Sequence, residues 1–187
     1  MKIKITNTER KTVEEFADAR LGSAELYSKR GGFKREDLIA GALGEIAAYK
    51  VLKKAGHELA KPDFTIYKKG EKSYDADLRI KNKKFHVKSQ TKKSADTYGP
   101  SWLMQRHDPL FKGTGYNHYM VPSVVDIEKN EVEILGYFPM YSVLGKGCVG
   151  ECHVPLFRRT KVAIYFKSLD EHISKYQRWR VVNEVKK

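Results

Sequence analysis

The 187-residue sequence predicts a single α/β domain. Over 34–55, apolar residues recur at three- and four-residue spacing, which is typical of a helix with one buried side. Over 77–90, apolar and polar residues alternate, which is typical of strands with one buried face. We expect the core to cover about 34–176, with a helix at 12–26 and a tail at 177–187 as appendages.

The helix predicted at 34–55 carries an acidic residue in an unusual setting. Glu45 follows Gly44 within a run of small residues, and small residues let a helix approach another backbone closely. A carboxylate in such a stretch would lie near whatever the helix packs on. An ordinary solvent-facing glutamate is the alternative. The apolar side of this helix is formed by Leu38, Ala42, Ile46, Tyr49 and Leu52.

The segment 77–90 predicts a tight β-hairpin. Asn82-Lys83 suits a two-residue turn, because asparagine tolerates a positive φ. With that turn, Asp77 would oppose Lys88. One face, directed to the core, would hold Leu78, Ile80, Phe85 and Val87, and the opposite face would hold Asp77, Arg79, His86 and Lys88.

The polar face of the hairpin would bring together a carboxylate, an imidazole and an ammonium group. Opposed side chains on paired strands have Cβ atoms roughly 5 Å apart, so Asp77 and Lys88 would touch or share a ligand. Such a set suits a metal ion and a phosphate. The alternative is an exposed cross-strand ion pair, which is worth about 0.2–1 kcal/mol.

These residues, in this order, resemble the PD-(D/E)XK nuclease superfamily. The resemblance covers about 34–90 and implies a restriction-endonuclease-like core, with a helix, a mixed central sheet of about four to five strands, and flanking helices. Carried over by position, Glu45 matches the helix acid, Asp77 the strand aspartate and Lys88 the motif lysine. Gln90 matches a glutamine found beyond that lysine in several subfamilies.

The sequence departs from the family motif at His86, which stands where the family has an acidic residue. Imidazole is a softer ligand than carboxylate and suits Mg²⁺ poorly. His86 could therefore act as a general base or contact the scissile phosphate, or its presence could mark the loss of catalysis. Asp75 and Asp63 are rival candidates for the strand aspartate, and Asp75 could instead support the site formed by Asp77.

The resemblance implies a Mg²⁺-dependent DNA endonuclease, with Mn²⁺ able to replace Mg²⁺. Glu45 and Asp77 would be the metal ligands, and Lys88 would orient the attacking water or neutralise charge in the transition state. A homing or phage-type enzyme acting on double-stranded DNA as a homodimer is the first expectation. A catalytically inactive DNA-binding module of the same fold and a Holliday-junction resolvase remain as alternatives.

The charge of the chain agrees with a nucleic-acid partner. It has 36 Lys and Arg residues against 23 Asp and Glu, a net charge of +13. A generally basic protein without such a partner is the alternative. The stretch 91–115 is polar and predicts a flap over DNA, in which Trp102 would stack on a base or serve as a core anchor. The candidate DNA contacts are Lys29, Arg30, Lys34, Arg79, Lys92, Lys93, Trp102, Arg106 and Lys112.

The remaining segments predict further elements of the sheet. Strands are expected at 64–68, 117–127, 132–141 and 160–167, and a short helix is expected at 168–176. These segments would complete the α/β domain.

The chain has two cysteines, Cys148 and Cys152, which favours a reducing, cytoplasmic compartment. With His153 they could form a zinc site completed by His107 or His118, or they could be incidental thiols in a loop. No segment reaches the roughly 18 apolar residues of a membrane span, and we expect neither a signal peptide nor a membrane partner.

Overall fold

A computed structural model describes residues 1–22, 35–67, 76–111 and 117–183. The α/β class is confirmed. The helices are α1 Asn7–Gly22, α2 Arg35–Lys54, α3 Lys92–Tyr98, α4 Met140–Gly145, α5 Phe166–His172 and α6 Lys175–Asn183. The strands are β1 Lys2–Lys4, β2 Leu78–Ile80, β3 Lys83–Thr91, β4 Ser101–Gln105, β5 His118–Asp126, β6 Glu131–Ile134, β7 Phe138–Pro139, β8 Val149–Glu151 and β9 Lys161–Tyr165.

The main sheet is mixed and has the order β1-β6-β5-β3-β2, with β7 also paired to β5. Strands β3 and β5 run parallel, from Lys84 opposite His118 to Thr91 opposite Val125, and the other pairs are antiparallel. A second, antiparallel sheet has the order β4-β9-β8. The connection from β3 to the parallel β5 runs through α3 and β4, as parallel neighbours require a crossover.

The two faces of the main sheet bury different cores. Helix α2 covers one face, where Phe85 and Val121 are fully buried, and α1 packs against α2. The second sheet, α3, α4 and α5 cover the other face, where Met120, Trp102 and Ile164 are buried. Because side chains alternate along a strand, the even-numbered residues of β3 point away from α2.

The contact between α2 and the sheet is closest at Gly44. A Cβ atom at this position would lie 2.0 Å from Ser89 Oγ and 2.9 Å from Ser123 Oγ. These two hydroxyls are themselves hydrogen-bonded at 2.9 Å. The expectation that small residues allow α2 a close approach is confirmed at Gly44, which lets the helix lie directly on β3 and β5.

The hairpin forms, but its predicted register is wrong. Leu78 lies opposite Phe85 and Ile80 opposite Lys83, so the turn consists of Lys81 and Asn82. Lys81 has φ 53°, and Asn117 Nδ2 donates a hydrogen bond of 2.9 Å to the Asn82 carbonyl. The register moves by an even number of residues, so the predicted division of side chains between the two faces is confirmed for the residues of β2 and β3, whereas Asp77 lies outside the paired strands.

Several predicted boundaries change. The first helix begins earlier than expected, at Asn7, because Thr6 and Glu9 form a reciprocal cap at its start. Residues 64–67 are not a strand, and the irregular stretch expected after position 91 contains α3 and β4. The expected strand at 132–141 divides into β6, β7 and the start of α4, and the expected helix at 168–176 divides into α5 and α6.

No helix within the described ranges is long and apolar enough to cross a lipid bilayer.

Candidate functional site

Five nitrogen-bearing side chains share the sheet face that points away from α2, at the end next to the hairpin. Arg79 lies opposite Lys84, and Lys84 lies opposite His118 of the parallel strand β5. His86 and Lys88 follow on the same face of β3 because strand side chains alternate. We call this group, Arg79, Lys84, His86, Lys88 and His118, the histidine face.

The centre of the histidine face is a pair of imidazoles. His86 Nε2 lies 2.9 Å from His118 Nδ1, and the two rings are nearly parallel, with an interplanar angle of 5°. One of these nitrogens must carry the shared proton, so the contact fixes the tautomers of both rings relative to each other. His118 entered the sequence analysis only as a candidate zinc ligand, since nothing local predicts the register of two parallel strands.

Both imidazoles are held in their neutral form. Burial, the Lys88 ammonium and His118 together lower the pKa of His86 from 6.5 to about 4, against a smaller opposing effect of Asp108. Burial and the cations of Lys84 and Arg79 also lower the pKa of His118. At neutral pH the histidine face therefore presents uncharged rings surrounded by cations.

The His86 pKa predicts a loss of stability in acid. The unfolded imidazole binds a proton below pH 6.5, whereas the folded one does so only near pH 4, so the free energy of unfolding falls as the pH drops through this window. The full effect is about 3 kcal/mol, from about 1.4 kcal/mol per pKa unit. Urea unfolding of wild-type protein and His86→Gln at several pH values measures it. The variant should lose less stability than wild-type protein between the two pH limits, and parallel curves would contradict the expectation.

Asp77 is fixed at the start of the hairpin next to His86. Its backbone N–H donates to the Phe85 carbonyl at 3.0 Å, and its carboxylate accepts a 2.7 Å hydrogen bond from the Val87 N–H. The pairing of β2 with β3 begins at Leu78 opposite Phe85, and Asp77 bonds to the Phe85 backbone, so the predicted direct opposition of Asp77 and Lys88 is wrong. The Asp77 carboxylate nevertheless meets the β3 backbone between His86 and Lys88, and a shared face for these three side chains stays a prediction.

Glu45 lies in a different environment. It lines a groove on the α1–α2 side of the molecule together with Asp63, Arg20 and Phe64. Of the residues that the structure describes, neither Asp77 nor the histidine face contributes to this groove. Asp63 accepts hydrogen bonds from the Thr65 N–H, at 2.9 Å, and from the Tyr67 hydroxyl. The structure thus groups Glu45 with the rival aspartate Asp63.

The side chains available as ligands in this region can be compared with those that the expected Mg²⁺ ion requires. Within the described part of the chain, no three His, Cys, Asp or Glu side chains converge as a metal site. Mg²⁺ needs only one or two protein carboxylates when water and substrate phosphate supply its other ligands. Asp77 fits that requirement, whereas the imidazoles of the histidine face do not. Magnesium binding by Asp77 and Glu45 stays a prediction.

Gln90 links the histidine face to the next elements of the chain. Its Oε1 accepts the Ser101 N–H at 2.9 Å, and its Nε2 donates to Ser94 Oγ at 3.2 Å and to the Gly99 carbonyl at 3.3 Å. These bonds tie the end of β3 to the junction of α3 and β4. The structure therefore gives Gln90 a positioning role, and its predicted catalytic role stays a prediction.

The predicted DNA contacts have different outcomes. Arg79 and Lys93 are exposed, Lys92 is ion-paired with Asp96, and Arg106 donates two hydrogen bonds to the Arg158 carbonyl. Lys29, Arg30, Lys34, Lys112 and the supporting Asp75 lie outside the described residues.

Trp102 is a core residue. Its side chain is 2% exposed, and its Nε1 donates a 3.1 Å hydrogen bond to the Ser123 carbonyl. The predicted stacking of Trp102 on a base is wrong, because the side chain is buried in the core between the two sheets. The alternative of a core anchor is confirmed.

The two cysteines are both buried and free. The Cys148 and Cys152 thiols each lie 3.6 Å from a backbone carbonyl, of Ser168 and Val154 respectively, and His153 Nδ1 lies 3.0 Å from the Tyr165 hydroxyl. Because the described residues contain no cluster of three metal-ligating groups, these contacts favour incidental thiols over a zinc site.

The sequence matches no protein-family model, no curated protein and no solved structure. The assignment of a function therefore depends on the geometry of the histidine face and Asp77.

Proposed function

We propose that this protein is a metal-dependent nuclease that hydrolyses phosphodiester bonds in DNA. The observation that carries the proposal is the placement of Asp77 at the start of the hairpin that carries the histidine face, where its carboxylate accepts the Val87 N–H between His86 and Lys88. The order of α2, the β2–β3 hairpin, α3 and the parallel strand β5 follows part of the core expected of PD-(D/E)XK nucleases, without, among the described residues, the strand expected between α2 and the hairpin.

The cations of the histidine face suit a phosphate group of the DNA backbone. Among the described residues, no carboxylate forms an ion pair with the half-buried Lys88. Lysine acts on phosphate as a point charge and needs no fixed bidentate geometry. A phosphate bound over Lys84 and Lys88 would also lie next to the uncharged imidazole of the partly exposed His118, so the bound anion would meet a donor and cations together.

Asp77 would hold the magnesium ion, or manganese in its place, with phosphate oxygens and water as the remaining ligands. The ion would polarise the phosphoryl group and lower the pKa of a bound water. Lys88 would orient that water or neutralise the charge that develops in the transition state. Glu45 would enter the site only as a second carboxylate, and the proposal does not depend on it.

The role of His86 follows from its environment. A general base works best when its pKa lies near the working pH, and the pKa of His86 is about 4. Its Nε2 is also engaged with His118. Of the roles predicted for His86, contact with the scissile phosphate through the imidazole pair therefore suits this geometry better than proton abstraction.

A second candidate is a DNA-binding module of the same fold that has lost catalysis. The observation that favours it is the burial of His86, 7% exposed, at the motif position where the family has a carboxylate. This module would use the same cations for phosphate and would bind DNA without cleaving it.

The decisive experiment is cleavage of supercoiled plasmid in the presence of Mg²⁺, Mn²⁺ or EDTA. We expect nicked or linear product with either metal and none with EDTA. Lys88→Ala should reduce the cleavage rate about 100-fold or more, because a charge that stabilises the transition state is lost. Its DNA affinity should fall less than tenfold.

Lys53→Ala is the matched control, since Lys53 is an exposed lysine at the end of α2 on the opposite side of the sheet. It should cleave at the wild-type rate. Binding without cleavage by the wild-type protein would establish the inactive module, and preference for a cruciform over a linear duplex would establish a resolvase.

A further inference from the structure

Three aromatic rings form a surface cluster near the end of β3. The rings of Tyr98 and His153 have centroids 5.1 Å apart, and those of His153 and Tyr165 are 5.6 Å apart. Tyr98 is 54% exposed, whereas Ala95, three residues earlier on α3, is buried. We call Tyr98, His153 and Tyr165 the aromatic platform.

The aromatic platform is held in place by hydrogen bonds. The Tyr165 hydroxyl donates to the Glu151 carbonyl at 2.8 Å, so the 3.0 Å contact with His153 is made by Nδ1–H donating to the same hydroxyl. Tyr98 is the last residue of α3, directly before Gly99, whose φ of 74° turns the chain into β4. The platform therefore presents an exposed tyrosine ring supported by two rings of fixed orientation.

The platform is tied to the histidine face by Gln90. The Gln90 side chain bonds to Gly99 and Ser101, which follow the end of α3, and Gln90 follows Lys88 by two residues, about 7 Å along a strand. A polyanion bound at Lys88 would pass the α3–β4 junction on its way along β3. The exposed Lys93 on α3 lies between these two regions in sequence.

We propose that the aromatic platform binds an unpaired nucleobase of the nucleic acid whose phosphates contact the histidine face. This inference rests on the proposed nucleic-acid substrate. Every base has a flat π face that stacks on an aromatic side chain, so one exposed tyrosine accepts a base of any sequence. A base within a duplex is already stacked on its neighbours. The occupant is therefore a base of a single-stranded or locally opened segment.

The inference is tested by the affinity of the whole protein for two fluorescein-labelled oligodeoxynucleotides of equal length, one normal and one abasic, in EDTA. Tyr98→Ala should weaken binding of the normal single strand by about five- to 100-fold, as expected for one lost base stack. Its affinity for the abasic strand should not change, because the phosphates are the same. Tyr98→Phe should bind both strands like the wild-type protein, since it keeps the ring.

Equal affinity of Tyr98→Ala and wild-type protein for the normal strand would overturn the inference. An equal loss in Tyr98→Ala and Tyr98→Phe would also overturn it, because it would assign the effect to the hydroxyl. If the protein cleaves plasmid but gives either of these two binding results, the proposed nuclease function stands and base binding at the aromatic platform is ruled out. Lys88→Ala should instead weaken binding of both strands and reduce its dependence on salt, which separates phosphate contacts from stacking.

Discussion

Gly44→Ala is expected to lower the free energy of unfolding by about 2–3 kcal/mol, whereas Gly41→Ala on the same helix should raise it by up to about 1 kcal/mol. At Gly44 the added methyl group would meet Ser89 Oγ at 2.0 Å, so either the hydroxyl or α2 must move. At Gly41 an added methyl group meets nothing within 4 Å. The Gly41 variant therefore reports helix propensity alone, and the Gly44 variant adds the steric contact with the sheet.

Urea unfolding at neutral pH measures both effects, as a shift of the midpoint at constant slope. Ser89→Ala provides a further test, because it removes the atom closest to the new methyl group. Gly44→Ala should cost less in the Ser89→Ala background than in the wild-type background. Equal effects at Gly41 and Gly44 would contradict the close packing of α2 on β3.

The same contact shows why α2 was predictable from sequence. Its predicted range, 34–55, differs from the observed Arg35–Lys54 by one residue at each end, because apolar spacing, acidic residues in the first turn and lysines in the last turn are local signals. The run of small residues indicated a close approach. It did not indicate that the partners would be Ser89 and Ser123, since these are distant in sequence.

The hairpin shows which features the alternation of apolar and polar residues can predict and which it cannot. Alternation placed Phe85 and His86 on opposite faces correctly, because a shift of register by an even number leaves the faces unchanged. The register itself depends on the turn, and Lys81 adopts the positive φ that the sequence analysis assigned to Asn82. The hydrogen bond between Asn82 and Asn117 joins the turn to β5 and has no local signal.

The sequence predicted the part of the candidate site that lies in the hairpin, but not the part that a neighbouring strand contributes. The pairing of His86 with His118 requires the parallel register of β3 and β5, which a single sequence does not reveal. The burial of Trp102 was not predictable for the same reason, because it depends on the packing of the second sheet. For Trp102, an aromatic ring in a polar stretch suggested a surface role, whereas tertiary packing buries it.

Asp77→Asn is expected to reduce metal-dependent DNA cleavage at least about 100-fold, because the variant removes the proposed metal-binding carboxylate while keeping an oxygen for the Val87 N–H. Retention of that hydrogen bond makes Asn a better substitution than Ala, which would also release the start of the hairpin. Circular dichroism and the unfolding midpoint should therefore stay close to those of the wild-type protein, so that lost activity reflects lost chemistry.

Asp63→Asn is the matched control for the carboxylate assignment. Asp63 bonds to Thr65 and Tyr67 within its own loop, and it shares a groove with Glu45 on the α1–α2 side of the molecule. If Asp77 is the metal ligand, Asp63→Asn should keep cleavage within a few-fold of wild type, and raising the Mg²⁺ concentration should partly restore Asp77→Asn alone. The opposite pattern, with activity lost in Asp63→Asn and kept in Asp77→Asn, would move the metal to the groove of Glu45 and leave the histidine face as a phosphate-binding surface.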